Sequence, residues 1–127
     1  MTYHLTKVSH RGFDDAIATV TKALSDQGFG VLTEIDVRAT LAKKLGVDFR
    51  PYKILGACNP AFAHRALQLE DKVGTMLPCN VVVQQKNGTV EVSAVDPTAS
   101  MQAITNPELE EIAREVRERL EKVIAAV

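Results

Sequence analysis

The chain is expected to fold as an α+β two-layer domain, a mainly antiparallel sheet backed by two long helices. Three observations point there. Two amphipathic stretches carry apolar residues at helical spacing, one near each end of the sequence. Several short segments rich in β-branched residues lie between and around them. Asn87-Gly88 joins two of these segments, and that pair favours the positive φ angles of a tight hairpin, which fixes at least one antiparallel pair.

Tyr3 to Val8 alternates weakly and reads as a first strand. A helix follows over about Gly12 to Gln27. Phe13, Ala16, Ile17, Val20, Ala23 and Leu24 fall three or four apart and form one apolar stripe. Gly28 is placed to end it in a left-handed conformation. Phe29 to Ile35 reads as a second strand. Asp36 is an N-cap for a short helix, Val37 to Leu45, with Val37, Leu41 and Leu45 one turn apart and Gly46 as its stop. Tyr52 to Ala57 is a third strand. Asn59-Pro60 then signals a helix start, since asparagine accepts from exposed amides and proline loses no needed donor at the first position. That helix runs to about Leu69.

Met76 to Lys86 and Thr89 to Val95 flank the hairpin. Asp96-Pro97 ends the second of them, and a polar loop leads to Asn106-Pro107. The acids Glu108, Glu110 and Glu111 suit the first turn of a last helix. It buries Leu109, Ile112, Ala113, Val116, Leu120, Val123 and Ile124. The strands from the second onward are expected to form an antiparallel meander, with the two long helices on one face.

The 127 residues suggest one domain spanning 1–127. Hydrophobic residues make up 46% and charged residues 24%, which argues against disorder. The net charge of -1 offers no basic field for nucleic acid, so no nucleic-acid partner is expected. No apolar run reaches the length needed to cross a bilayer. The N-terminus lacks the apolar stretch of a signal peptide, so a cytoplasmic location is the expectation. Thiols there are normally reduced, and a Cys58–Cys79 bridge would be transient rather than structural.

The two cysteines both precede asparagine, as Cys58-Asn59-Pro60 and Pro78-Cys79-Asn80. If the third and fourth strands are antiparallel neighbours, both thiols come to one sheet edge. Cys58 also precedes a helix N-terminus, whose positive end stabilises a thiolate. Reactive thiols or a ligand-holding pair are one reading, and small buried packing residues are the other. Asn59 is expected as a helix cap. Asn80 either satisfies a bend or faces a ligand, because a buried amide must be paired. Glu34, Asp36 and Asp96 lie near strand ends and are further candidates, although a cap and a turn account for Asp36 and Asp96.

His4, His10 and His64 are scattered, and no C-x-x-C occurs, so no metal site and no cofactor are expected. The basic run Arg38, Lys43, Lys44, Arg50 and Lys53 reads as an anion patch or a solvated face. No phosphate-binding glycine loop and no G-x-S-x-G elbow occur.

Four segments carry a resemblance: GFGVLTEIDVRATLAKKLG (Gly28 to Gly46), PYKILGACNP (Pro51 to Pro60), LPCNVVV (Leu77 to Val83) and SAVDP (Ser93 to Pro97). In combination they resemble a prokaryotic family known only as a domain of unknown function, DUF302. The resemblance implies a TATA-binding-protein-like fold with a curved antiparallel sheet, and a homodimer. Its signature falls on Glu34, Asp36, Cys58, Asn59, Pro60, Pro78, Cys79, Asn80, Asp96 and Pro97. No reaction comes with it, and whether the protein is an enzyme stays open. The fold's name implies no DNA binding, because function belongs to sites.

The reading that follows is a soluble dimeric domain holding a small ligand at the edge formed by Cys58, Asn59, Cys79 and Asn80, with Glu34 and Asp96 as outlying members. A thiol-dependent redox or sulfur-transfer protein using Cys58 and Cys79 is the first alternative. A purely structural dimer module is the second.

Overall fold

The computed structural model describes residues 2–127. Five strands form one antiparallel sheet in the order β1-β5-β4-β3-β2. They are β1 (His4–Ser9), β2 (Gly30–Asp36), β3 (Tyr52–Cys58), β4 (Cys79–Lys86) and β5 (Thr89–Val95). The helices are α1 (Phe13–Asp26), α2 (Val37–Leu45), α3 (Pro60–Leu69), a four-residue α4 (Pro97–Ser100) and α5 (Pro107–Ala125). The sheet is open, with β1 and β2 as its edges. The expected α+β class and the antiparallel meander from β2 to β5 are both present.

Local chemistry sets most boundaries. The α1 helix closes with Gly28 at φ 85°, where the Gly28 and Phe29 amides donate to Ser25 and Leu24 carbonyls. These two hydrogen bonds satisfy carbonyls in the last turn of α1 and turn the chain into β2. The Asp36 carboxylate accepts from the Ala39 amide at 2.9 Å and starts α2, and Gly46 ends it at φ 64°. Asn106 accepts from the Glu108 and Leu109 amides to start α5. The hairpin holds Asn87 at φ 52° and Gly88 at φ 80°.

Two expectations need correction. The fourth strand starts at Cys79 rather than Met76, because Asp71–Met76 forms a 3-10 turn and Pro78 lacks a ladder donor. The segment after Asp96 is not wholly loop, since α4 occupies its first turn. The short helix over Val37–Leu45 forms as expected, with no fully buried side chain and with Leu45 69% exposed.

The helix-covered face of the sheet carries Leu55, Ala57, Val81, Val83, Val92 and Ala94, all buried. They pack with Val20 and Leu24 of α1 and with Val116, Leu120 and Val123 of α5. A second, smaller cluster lies beside it: Ala66, Val73, Met101, Leu109 and Ala113. It forms where α3, the 3-10 turn and α4 close over the first half of α5. The seam between the two clusters lies at the sheet end where β3 finishes and β4 begins.

Candidate functional site

The antiparallel pairing of β3 with β4 sets Ala57 opposite Cys79. Cys58, the next residue, is therefore carried to the same end of the sheet as Cys79. Both cysteines are free thiols; Cys58 is half-buried and Cys79 is buried. Alternation along the strand assigns the two residues to opposite faces of the sheet at this point. Even so, both line one crevice at the seam, together with Phe29, Asn59, Phe62 and Met101. Pro78 and Pro97 also border it.

The free volume within this crevice is about 30 Å³, room for about one water. Its walls are almost wholly apolar. The polar handles are the two thiols and the Asn59 amide. Burial, and after it the neighbouring Cys58, pushes the Cys79 thiol up from 9.0 to about 11. Desolvation disfavours the thiolate, which favours the protonated form of Cys79 at neutral pH.

Asn59 occupies the N-cap position of α3, and its carbonyl accepts from the Ala63 amide at 2.9 Å. Its side chain, however, makes no cap hydrogen bond. The expected cap is thus a backbone cap only. The side-chain amide instead lies over Gly28: a Cβ built there would stand 3.0 Å from Asn59 Nδ2 and 3.6 Å from Arg119 Nη1. Arg119 donates to the Gln27 carbonyl at 3.0 Å and stacks over Phe62 at 5.1 Å from the ring centre. Arg65 approaches the same ring at 5.8 Å. Sequence reasoning missed Phe62 and Arg119 as members of this region, because nothing local links positions 28, 59, 62 and 119.

The remaining candidates fall elsewhere. Asn80 is exposed and lies on the uncovered face of the sheet. There it borders a shallow groove with Tyr52, Gln84, Glu91 and Ser93. It neither faces the crevice nor satisfies a bend in the core. Glu34 pairs in register with Leu55, far along β2, and its carboxylate meets Lys53 Nζ at 2.7 Å. The hydrogen bond from Lys53 to Glu34 outweighs desolvation and raises the lysine pKa. Glu34 is therefore an ion-pair partner outside the crevice. Asp36 is the cap described above.

Asp96 sits at the correct end of the sheet but is locked. Its Oδ1 accepts from Thr98 N at 3.0 Å and Thr98 Oγ1 at 2.6 Å, and Oδ2 accepts from Arg117 Nε at 3.1 Å. Burial opposes its charge, but the bonds from Thr98 and Arg117 prevail and hold the carboxyl below its usual range. Asp96 caps α4 and ties β5 to α5, and it does not line the crevice. No group of three or more His, Cys, Asp or Glu side chains able to hold a metal occurs among the described residues. No helix there is long and apolar enough to cross a membrane.

The sequence profile of the family described as domain of unknown function DUF302 matches residues 5–127. The chain belongs to the DUF302 family. A solved structure is similar over nearly the whole fold: the crystal structure of an uncharacterized conserved DUF302 protein from Bacillus stearothermophilus. The two share 35% sequence identity with a TM-score of 0.93, covering 99% of this chain and 98% of that one. No curated protein matches the chain. Family membership thus gives the architecture and leaves the activity to be argued from the site.

Proposed function

We propose that this DUF302 protein is a ligand-binding domain that takes a small, largely apolar molecule into the crevice between the ends of β3 and β4 and the helices α3 and α5. The observation that carries this reading is the position of the crevice on the seam between two hydrophobic clusters. Small-molecule sites are mostly apolar, with a few placed polar groups. Here the polar groups are the Cys58 thiol and the unbonded Asn59 side chain at the rim.

The crevice as it stands holds about one water, so a ligand requires α3 to move. The α3 helix is suited to this. Ala66 is its single fully buried residue, with Phe62 and Ala63 half-buried above the seam. Elements with few buried apolar contacts open at low free-energy cost.

Fluorescence of the neutral dye N-phenylnaphthylamine tests the reading. The wild-type protein is expected to bind it saturably. Ala63→Phe, which fills the seam from α3, is expected to abolish binding while far-ultraviolet dichroism stays native. Binding unchanged in Ala63→Phe would place the dye elsewhere and remove the reading.

We further propose that the protein acts as a homodimer through the lobe of β2 and α2. Leu32 and Leu45 are each 69% exposed, and Ile35 and Val47 are exposed as well. Uncovered large apolar side chains on these neighbouring stretches of chain suit an interface. A second copy supplies an equal patch, as an isologous contact requires.

The redox alternative has less support. Cys79 is held protonated, which makes it a poor attacking partner for a bond formed on Cys58.

A further inference from the structure

We infer that the uncovered face of the sheet carries a binding site of its own, for a neutral, hydroxyl-rich ligand of the pyranose-sugar class. It stands apart from the crevice, which lies on the helix-covered side. An open groove of about 360 Å³ crosses this face over β3, β4 and β5. That volume is within the range of small-molecule sites. Asn80, which the crevice does not use, lines the groove.

Strand register sets which groups meet there. Tyr52, Gln84 and Glu91 stand in one row across the three strands. Val82 and Ser93 form the next row. Asn80 comes two residues before Val82 on β4, and Val95 pairs with His4 at the same end. Rows on one face are about 7 Å apart and neighbouring strands about 5 Å apart. A single pyranose therefore reaches groups of two rows, and a disaccharide reaches all three. Tyr52, Val82, Gln84, Glu91 and Ser93 are half-buried and rooted in strands, which hold a site more precisely than loops do.

The polar groups mix donors with acceptors. Arg50 Nε donates to Gln84 Oε1 at 2.9 Å, which leaves the Gln84 N–H groups as donors. Thr6 Oγ1 donates to Ser93 Oγ at 2.8 Å, which leaves the Ser93 O–H as a donor. Glu91 beside them accepts, and the Asn80 amide does both. A ligand hydroxyl donates and accepts at one atom, so it suits neighbours of this mixed kind. Charged ligands suit them less. Glu91 repels a phosphate or carboxylate, and the Arg50 guanidinium, held on the adjacent Gln84, opposes an ammonium. Val82 offers an apolar floor to the C–H face of a sugar ring. Tyr52 offers an aromatic one, braced by Arg50 at 5.7 Å from its ring centre.

Methyl-resolved nuclear magnetic resonance of the full chain tests this with maltose, cellobiose and lactose, and with glucosamine and glucuronate as charged controls. At least one of the three disaccharides is expected to shift Val82 and Val95 saturably while Met101 stays fixed. Glu91→Ala removes a charged acceptor and is expected to weaken that binding about tenfold. Asn80→Ala is expected to weaken it about threefold or more. Both substitutions lie outside the core, and an unchanged Leu120 resonance shows that the fold is kept. No saturable shift at Val82 with any disaccharide would overturn the site. So would tighter binding of glucosamine or glucuronate, or wild-type affinity in both variants. Shifts at Met101 alone would place the sugar in the crevice and overturn it as well. None of these outcomes touches the crevice reading, which rests on the dye and Ala63→Phe.

Discussion

Replacing Asp96 by asparagine separates the charge at the sheet end from its shape. The Asp96 side chain is 9% exposed and its Arg117 partner 37% exposed. Asparagine keeps the Oδ1 acceptor, so the two bonds from Thr98 survive. What changes is Oδ2, which accepts from Arg117 Nε in the native protein. An amide nitrogen there sets donor against donor. A hydrogen bond to a charged group contributes about 1.5–3 kcal/mol. Solvent at the guanidinium screens part of this, which brings the expected loss to about 1–2 kcal/mol. The sign with pH follows from the depressed carboxyl. Its folded pKa lies below the unfolded value of about 3.9. The stabilisation is therefore fully present above that value and is lost as pH falls through the folded pKa. Urea denaturation should show Asp96→Asn less stable at pH 7, with the difference closing in acid as pH falls through the lowered folded pKa and the native carboxyl protonates. Equal stability at pH 7, or a gap of the same size in acid, would refute the assignment of a charged tie between β5 and α5.

Three further outcomes are expected. Asn87→Pro should lower the urea midpoint clearly, because proline cannot take the φ of 52° found at that turn position, whereas Asn87→Asp should change stability by less than about 0.5 kcal/mol; equal midpoints would mean that the turn is misassigned. The variant Cys58→Ser, which retains Cys79, should resist alkylation in the native state, since a thiol pKa of about 11 instead of 9.0 lowers the thiolate fraction near neutral pH by about a hundredfold; fast labelling of that variant would show Cys79 to be accessible. Leu45→Asp should convert a sedimenting dimer to monomer in the presence of reductant while leaving monomer stability within about 0.5 kcal/mol, because Leu45 contributes nothing to the core; an unchanged dimer would place the interface elsewhere.

The elements that sequence reasoning located are those fixed by short-range chemistry. Asp36 and Gly46 bound α2 because a carboxylate and a left-handed glycine act on neighbouring amides. Asn87-Gly88 fixes the hairpin for the same reason. From there the antiparallel order of β3 and β4 followed, and with it the approach of Cys58 to Cys79. What was not legible depends on contacts between distant residues. Asn59 has every local reason to cap α3 with its side chain, yet that side chain lies over Gly28, where the lack of a Cβ leaves room. Asp96 reads locally as a turn residue, and its decisive partner is Arg117 on another element. Asn80 and Cys79 are adjacent in sequence but face opposite sides of the sheet, so the pair of Cys-Asn motifs does not form a four-residue cluster. The apolar stripe of α2 carries the right spacing for burial, but helical period alone does not say which element covers it. The seam itself arises only once two separate apolar clusters close against the same helix, α5.

The central claim is that the seam between those clusters is the binding site. Methyl-resolved nuclear magnetic resonance of the full chain, titrated with N-phenylnaphthylamine, tests it directly. Resonances of Met101, Ala63 and Ala66, which line the crevice, are predicted to shift together and saturate with one binding constant. Val82, on the uncovered face of the sheet, is predicted to stay fixed. Shifts confined to residues of that uncovered face, or no saturable shift at Met101, would contradict the account.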